Sequence, residues 1–306
     1  ATTKFAKLPA SAYLWKQLKS PHPANNVWRR NEDVASDTLF SDTPAIDSGV
    51  KCAQIFFGTH TLVTDIGPMN TSAEYLSSLQ DNVIKRGAPN RILVDSARVE
   101  CSDRVMTYLR MLFIEIWQSE AYHQHQNPAE RRWQTVKRIS NRLLAHTGAD
   151  PSLWLEALKY TCYVLNHVAH PSLEYRVPLE VLTGCVQDIS AILCFRWFEP
   201  VYYMVDDSPF PSKSVEARGR FVGFAKSVGH ALTFRILTDD TKKIICRSSV
   251  CSAQTAATRN RKLENLDIGN ISRCQIPKIL LFMTRLTILR TLGRFKKFLP
   301  KALIRL

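Results

Sequence analysis

The step Asn127-Pro128, followed at once by a long run of helical periodicity, limits the architecture of this chain more than any other feature of its sequence. Asn127 suits an N-cap that accepts a backbone N–H, Pro128 suits the first helical position, and Glu130 stands three residues after the cap, as in a capping box. Trp133, Val136, Leu143 and Leu144 continue the helix as an apolar stripe. Glu130, Gln134, Lys137, Arg138 and Asn141 fall three or four residues apart on another face, which is either solvated or turned toward a polyanion. The capping box alone accounts for Glu130. Two further carboxylates give it a second meaning: Asp95 ends the β-type run Arg91-Ile92-Leu93-Val94, and the candidate strand Thr38-Leu39-Phe40-Ser41 ends in Asp42. Two strand-end aspartates and a helix-start glutamate have the makings of one acidic cluster.

The elements around these residues follow a definite order. Residues 1–33 show no clean hydrophobic period and read as an extended lead-in. Three short strands are expected at 37–42, 51–57 and 60–66. A capping box at Thr71 and Glu74 opens a helix that Gly87 closes, and Ser102 caps another whose apolar face is Val105, Tyr108, Leu109 and Leu112. Ile114–Trp117 alternates like a strand. The resulting order, β-β-β-α-β-α-β-α, predicts an α/β fold with an RNase H-like mixed sheet flanked by helices, spanning residues 34–175. A helix from Ser152 to about Ala169 is apolar on several sides and is expected to pack on the core, with Trp154 as an anchor. From 176 to 252 the signal turns to β, with short runs at 192–198, 200–205, 217–224, 230–237 and 242–250 that predict a small antiparallel barrel or sheet.

The net charge of +14 points to a polyanionic partner, but twelve Lys or Arg against Glu264 and Asp267 place +10 of it in residues 259–306. The rest of the chain carries only +4. That tail, 253–306, reads as a basic, partly helical segment whose charges interrupt every long apolar run, so no membrane span is expected. Eight cysteines without a CxxC pair argue against a disulfide framework or a structural zinc site.

Several segments carry a resemblance to a known family. Gln126-Asn127-Pro128-Ala129-Glu130-Arg131 stands where copia-type retrotransposon integrases, within the retroviral-integrase superfamily, have Gln-Asn-Gly-Val-Ala-Glu-Arg. Asp95-Ser96, with Glu100 nearby, stands where they have Asp-Asn-Gly-Gly-Glu-Phe. Leu153-Trp154-Leu155-Glu156-Ala157 through Asn166, Arg220-Phe221-Val222-Gly223-Phe224 and Thr241–Ser248 resemble their later motifs. The chain thus resembles a piece of a Pol polyprotein that starts after the family's zinc module. Ser96-Ala97-Arg98 departs from the family's Asn-Gly-Gly.

The resemblance implies a polynucleotidyl transferase that trims the ends of element DNA and joins them to target DNA. Two Mg²⁺ or Mn²⁺ ions would be held by Asp42, Asp95 and Glu130, because Mg²⁺ takes oxygen ligands and an ion pair can clamp both oxygens of an in-line displacement. Asp37 is the next choice after Asp42. Arg131, Lys137, Arg138, His123 and His125 are the candidate contacts to DNA, and the active form would be a nuclear homo-oligomer. The competing reading is a catalytically inactive transposon remnant, or a recruited module that binds nucleic acid or protein.

Overall fold

The computed structural model describes residues 22–95, 100–119, 127–205, 216–230 and 232–253. The chain divides into two compact units, one running to Arg142 and taking in Thr161–Asn166, the other holding Leu143–Tyr160 and the chain from His167 onward. The basic tail lies outside the described residues.

The first unit is built on five strands, β1 (Asp33–Phe40), β2 (Cys52–Gly58), β3 (Thr64–Met69), β4 (Arg91–Val94) and β5 (Glu115–Gln118), in the order β3-β2-β1-β4-β5. The first three form an antiparallel meander, and β4 and β5 add in parallel beyond β1. Parallel neighbours need crossovers. Helices α1 (Tyr75–Arg86) and α2 (Asp103–Met111) supply them, and α3 (Pro128–Thr147) follows β5. This is the RNase H-like mixed sheet flanked by helices that the element order predicts.

Because strand side chains alternate, the register decides what each face of the sheet carries. Ser36 pairs with Phe56 and Thr38 with Gln54, and this face meets α1, where the Ser36 and Tyr75 hydroxyls lie 3.2 Å apart. Val34, Phe56, Tyr75, Leu79, Ile92, Val94, Val105 and Leu109 form its apolar core. The other face carries Ala35, Asp37, Ile55 and Phe57, and it meets α3, since Arg132 lies 5.4 Å from the Phe57 ring centroid and Trp133 is buried. At the edge strand β3, Asn166 copies a backbone: its Oδ1 accepts the Thr64 N–H and its Nδ2 donates to the Thr64 carbonyl, both at 2.8 Å.

The first strand begins earlier than expected, at Asp33, because its ladder with β2 extends back to the Val34–Gly58 pair. It ends at Phe40. Asp65 lies within β3, where Lys85 and Arg86 of α1 both pair with its carboxylate.

In the second unit, β6 (Pro200–Met204), β7 (Glu216–Phe224), β8 (Phe234–Thr238), β9 (Ile244–Arg247) and β10 (Val250–Ser252) form an antiparallel sheet in the order β10-β6-β7-β8-β9. Of the barrel or sheet expected here, the structure has the sheet, open because β9 and β10 are its two edges and do not pair. The chain nevertheless passes from one edge to the other through Ser248 and Ser249 alone, a span of about 10 Å at most, so the sheet is strongly curled. The strand expected at 192–198 is instead a short helix, Ser190–Cys194, opened by Asp188, whose Oδ1 accepts the Ser190 N–H at 2.8 Å. A short apolar run does not by its period distinguish strand from buried helix. Phe195, Phe221 and Phe234 pack on one another with ring centroids 5.0–5.8 Å apart, and Tyr160 meets Phe221 edge-on.

Helix α4 (Trp154–His167) starts at Trp154, which is 8% exposed. Its role as a packing anchor predicts that Trp154→Ala destabilises the chain by about 3–5 kcal/mol, the usual range for removing a buried large aromatic. Denaturant unfolding of the purified variant measures it, and an unchanged midpoint would rule the anchor role out.

Candidate active site

Three carboxylates reach one face of the first sheet by three different routes. Asp37 sits in the second half of β1 on the α3 face, opposite Ile55. Val94, the last residue of β4, points into the core on the α1 side, so Asp95 returns to the face of Asp37. There its Oδ1 accepts the Ser119 hydroxyl at 3.1 Å. Glu130 comes from the first turn of α3, and that turn is pinned to β1 twice.

Asn127 makes the first pin. Its Oδ1 accepts the Ala129 N–H at 2.9 Å, capping the helix, while its Nδ2 donates to the Ser36 carbonyl at 3.0 Å. Trp133 makes the second, its Nε1 donating to the Asp37 carbonyl at 3.4 Å. Glu130 lies between the two pins. Among the described residues it makes no return hydrogen bond to the Asn127 N–H, so a capping box does not account for it.

The electrostatics bear the arrangement out. Burial pushes the Asp37 carboxyl up to about 6, and the negative charges of Asp95 and Glu130 push it the same way; the Thr38 N–H, 2.8 Å from Oδ1, and the Lys137 ammonium oppose them. A fourth carboxylate, Glu100, is 3% exposed and is raised to about 7, by burial first and then by Asp37 and Asp95. In both groups burial is the larger cause and the neighbouring carboxylates add to it.

Asp42 does not belong to this cluster. It follows the end of β1 at an exposed bend, five residues beyond Asp37, the carboxylate on which the charges of Asp95 and Glu130 act. The strand start expected at residue 37 lies four residues late, because Asp33–Ser36 carries too little β-branched character to be read as strand. Arg131, Lys137 and Arg138 are exposed on α3, and of these Lys137 is near enough to Asp37 to lower its pKa. His123 and His125 lie outside the described residues. Glu100 was legible only as a residue near Asp95; its burial depends on side chains from β1 and β2 far away in sequence.

Among the described residues no three His, Cys, Asp or Glu side chains converge into a ready-made cage for a metal ion. Mg²⁺ does not require one, since it usually keeps several waters and takes one or two carboxylates plus substrate phosphates. The donor set, carboxylate oxygens whose mutual repulsion a divalent cation would relieve, fits such an ion.

No protein-family model and no curated protein matches the chain. Solved structures do. A chain of the simian T-cell lymphotropic virus intasome, determined in complex with PP2A regulatory subunit B56 gamma, matches 72% of this chain over 78% of its own length, at 13% identity and a TM-score of 0.43. The HTLV-2 integrase catalytic core domain in complex with magnesium matches in its trimeric form over 50% of this chain and 96% of that one. Its dimeric form covers 51% and 97%, both at 16% identity and a TM-score of 0.40. Two of these neighbours are integrase catalytic cores. At this identity the likeness reaches no further than the fold.

The raised Asp37 carboxyl has a measurable consequence. Between its ordinary value of 3.8 and about 6 the folded chain holds a proton there that the unfolded chain has released, so this group's contribution to stability falls as pH rises through that window. In metal-free buffer Asp37→Asn should therefore melt higher than the parent at pH 7.5 and close to it at pH 4. Equal melting temperatures at both values would show that Asp37 is not held against its neighbours' charge.

Proposed function

We propose that the chain is an integrase-type polynucleotidyl transferase whose acidic site is Asp37, Asp95 and Glu130. The observation that carries this reading is the placement of Asp37 on β1, Asp95 just past the end of β4 and Glu130 in the first turn of α3, with the charges of Asp95 and Glu130 both acting to raise the Asp37 carboxyl beyond what burial does. Nothing in the packing requires it. A structural carboxylate in this protein is paired with cations, as Asp65 is with Lys85 and Arg86, whereas Asp37 is held beside other anions.

In this reading the three carboxylates bind Mg²⁺ or Mn²⁺, which when bound supplies charge neutralisation for in-line attack on a DNA phosphodiester. The number of ions is proposed as two. Asp37 must give up its proton before it can serve as a ligand, so cation binding there competes with the protonation that burial favours. Ser119 holds the Asp95 carboxylate, and the Asn127 and Trp133 pins hold the helix turn that presents Glu130. Arg131, Lys137 and Arg138, exposed along the same helix, are the proposed contacts to DNA phosphates. The copia-type assignment, DNA ends and target DNA as substrates, a homo-oligomeric active form and a nuclear site of action belong to the same proposal. No helix among the described residues is long and apolar enough to cross a membrane.

The test is metal-dependent cleavage and strand transfer by the full chain on duplexes that mimic element ends. Asp37→Asn, Asp95→Asn and Glu130→Gln should each abolish joining while leaving the fold intact, and Asp42→Asn should retain it. Joining that survives in Asp37→Asn but not in Asp42→Asn would overturn the site. Its complete absence in the parent chain, with DNA binding retained, would favour a recruited binding module.

A further inference from the structure

We propose that Glu100 is a positioning residue for the acidic site: from the opposite face of the sheet its carboxylate fastens together the two strand ends that carry Asp37 and Asp95. The inference rests on the functional reading above.

The need for such a fastener follows from the register. The parallel ladder between β1 and β4 pairs Asp33 with Arg91, Val34 with Ile92 and Ala35 with Leu93, and it goes no further. Asp37 and Asp95 each lie two residues past its last pair, where no main-chain bond of this ladder sets the distance between them. Glu100 sits where the ladder is missing. Its Oε1 accepts the Gln54 Nε2 at 3.0 Å and lies 3.5 Å from the Thr38 hydroxyl, which itself donates to the Gln54 Oε1 at 2.6 Å. The Asp95 main chain lies near enough to this carboxylate to oppose the rise in its pKa. One side chain thereby joins β2 to the residue after Asp37 and sits beside the main chain of Asp95.

Glu100 is not a fourth ligand in this arrangement. Alternation puts Thr38 and Gln54 on the α1 side of the sheet and Asp37 on the α3 side, so a carboxylate bonded to the first two faces away from the cluster. Space filling does not explain it either. Its second oxygen, Oε2, is buried without a hydrogen-bond partner among the described residues, a standing cost that a leucine or methionine of similar size would avoid. A buried polar group retained against that cost is expected where it fixes a geometry.

The experiment is a Mn²⁺ titration of the full chain, followed by electron paramagnetic resonance and paired with thermal melting. Glu100→Gln keeps an acceptor for Gln54 and loses the charge; Glu100→Leu loses both. Positioning predicts Mn²⁺ affinity within about 3-fold of the parent for Glu100→Gln and at least about 10-fold weaker for Glu100→Leu, the scale on which residues that hold metal ligands act. Gln54→Leu cuts the same link from its other end, so it should show a similar loss, and the double variant Glu100→Leu/Gln54→Leu should be no weaker than either single one. It also decides the matter if Glu100→Leu does not fold. Equal loss in Glu100→Gln and Glu100→Leu would assign the effect to charge and overturn the proposal, as would a lowered melting temperature with unchanged affinity. Asp37→Asn and Asp95→Asn serve as the reference: if they bind Mn²⁺ like the parent, the acidic site itself is wrong. If they lose it while Glu100→Leu does not, only the positioning role fails.

Discussion

The Asn127 side chain is the constraint on which the geometry of the first unit turns. A helix N-cap needs an acceptor for the orphan N–H groups of the first turn, and a strand carbonyl at the end of a ladder needs a donor. An asparagine amide offers one of each. By accepting from Ala129 and donating to Ser36, it makes the start of α3 and the middle of β1 parts of one rigid object. Neither bond is strong alone, about 1 kcal/mol net each, but both are buried, and losing either would leave a stranded polar group. The direction in which Glu130 leaves the helix is set there.

Much of this was readable from residues alone, and the reason is local. Glycine stops such as Gly87 and runs such as Arg91–Val94 are decided within a few residues and appear where their signals stand, whereas Thr71 and Ser102 precede helices without making the side-chain cap bonds expected of them, and Glu74 accepts the Asn70 N–H instead. The sheet's order was readable because the β-β-β-α-β-α-β-α sequence leaves few ways to bury apolar faces on both sides. The errors arise where the deciding partner is distant. The start of β1 depends on its ladder with β2, so Asp37 looked like the first residue of a strand and Asp42 like its last, whereas the strand runs from Asp33 to Phe40. The run 192–198 depends on the phenylalanine cluster of β7 and β8 and on a cap from Asp188, and hydrophobicity alone could not separate strand from helix there.

The site shows the same division. Asp95 and Glu130 have clear local signals, and the structure places Asp95 just past the end of β4 and Glu130 in the first turn of α3, as those signals say. Asp37 and Glu100 owe their properties to burial beside other carboxylates, which is a property of the assembled sheet. Two aspartates five residues apart are equivalent in a list of acids and quite different when one lies at an exposed bend and the other is wedged between β2 and α3.

Concentrating anions in this way works against folding, and the surroundings show how the opposition is contained. Asp37 is not neutralised by an ion pair, as Asp65 is; it receives the Thr38 N–H and the more distant influence of Lys137, both weaker than the burial that raises it. Glu100 adds another carboxylate from beneath and is itself raised by Asp37 and Asp95. A chain selected only for stability would relieve such a site with an amide or a leucine. Keeping the acids leaves Asp37 and Glu100 with carboxyls that burial and neighbouring charge both hold toward the protonated form.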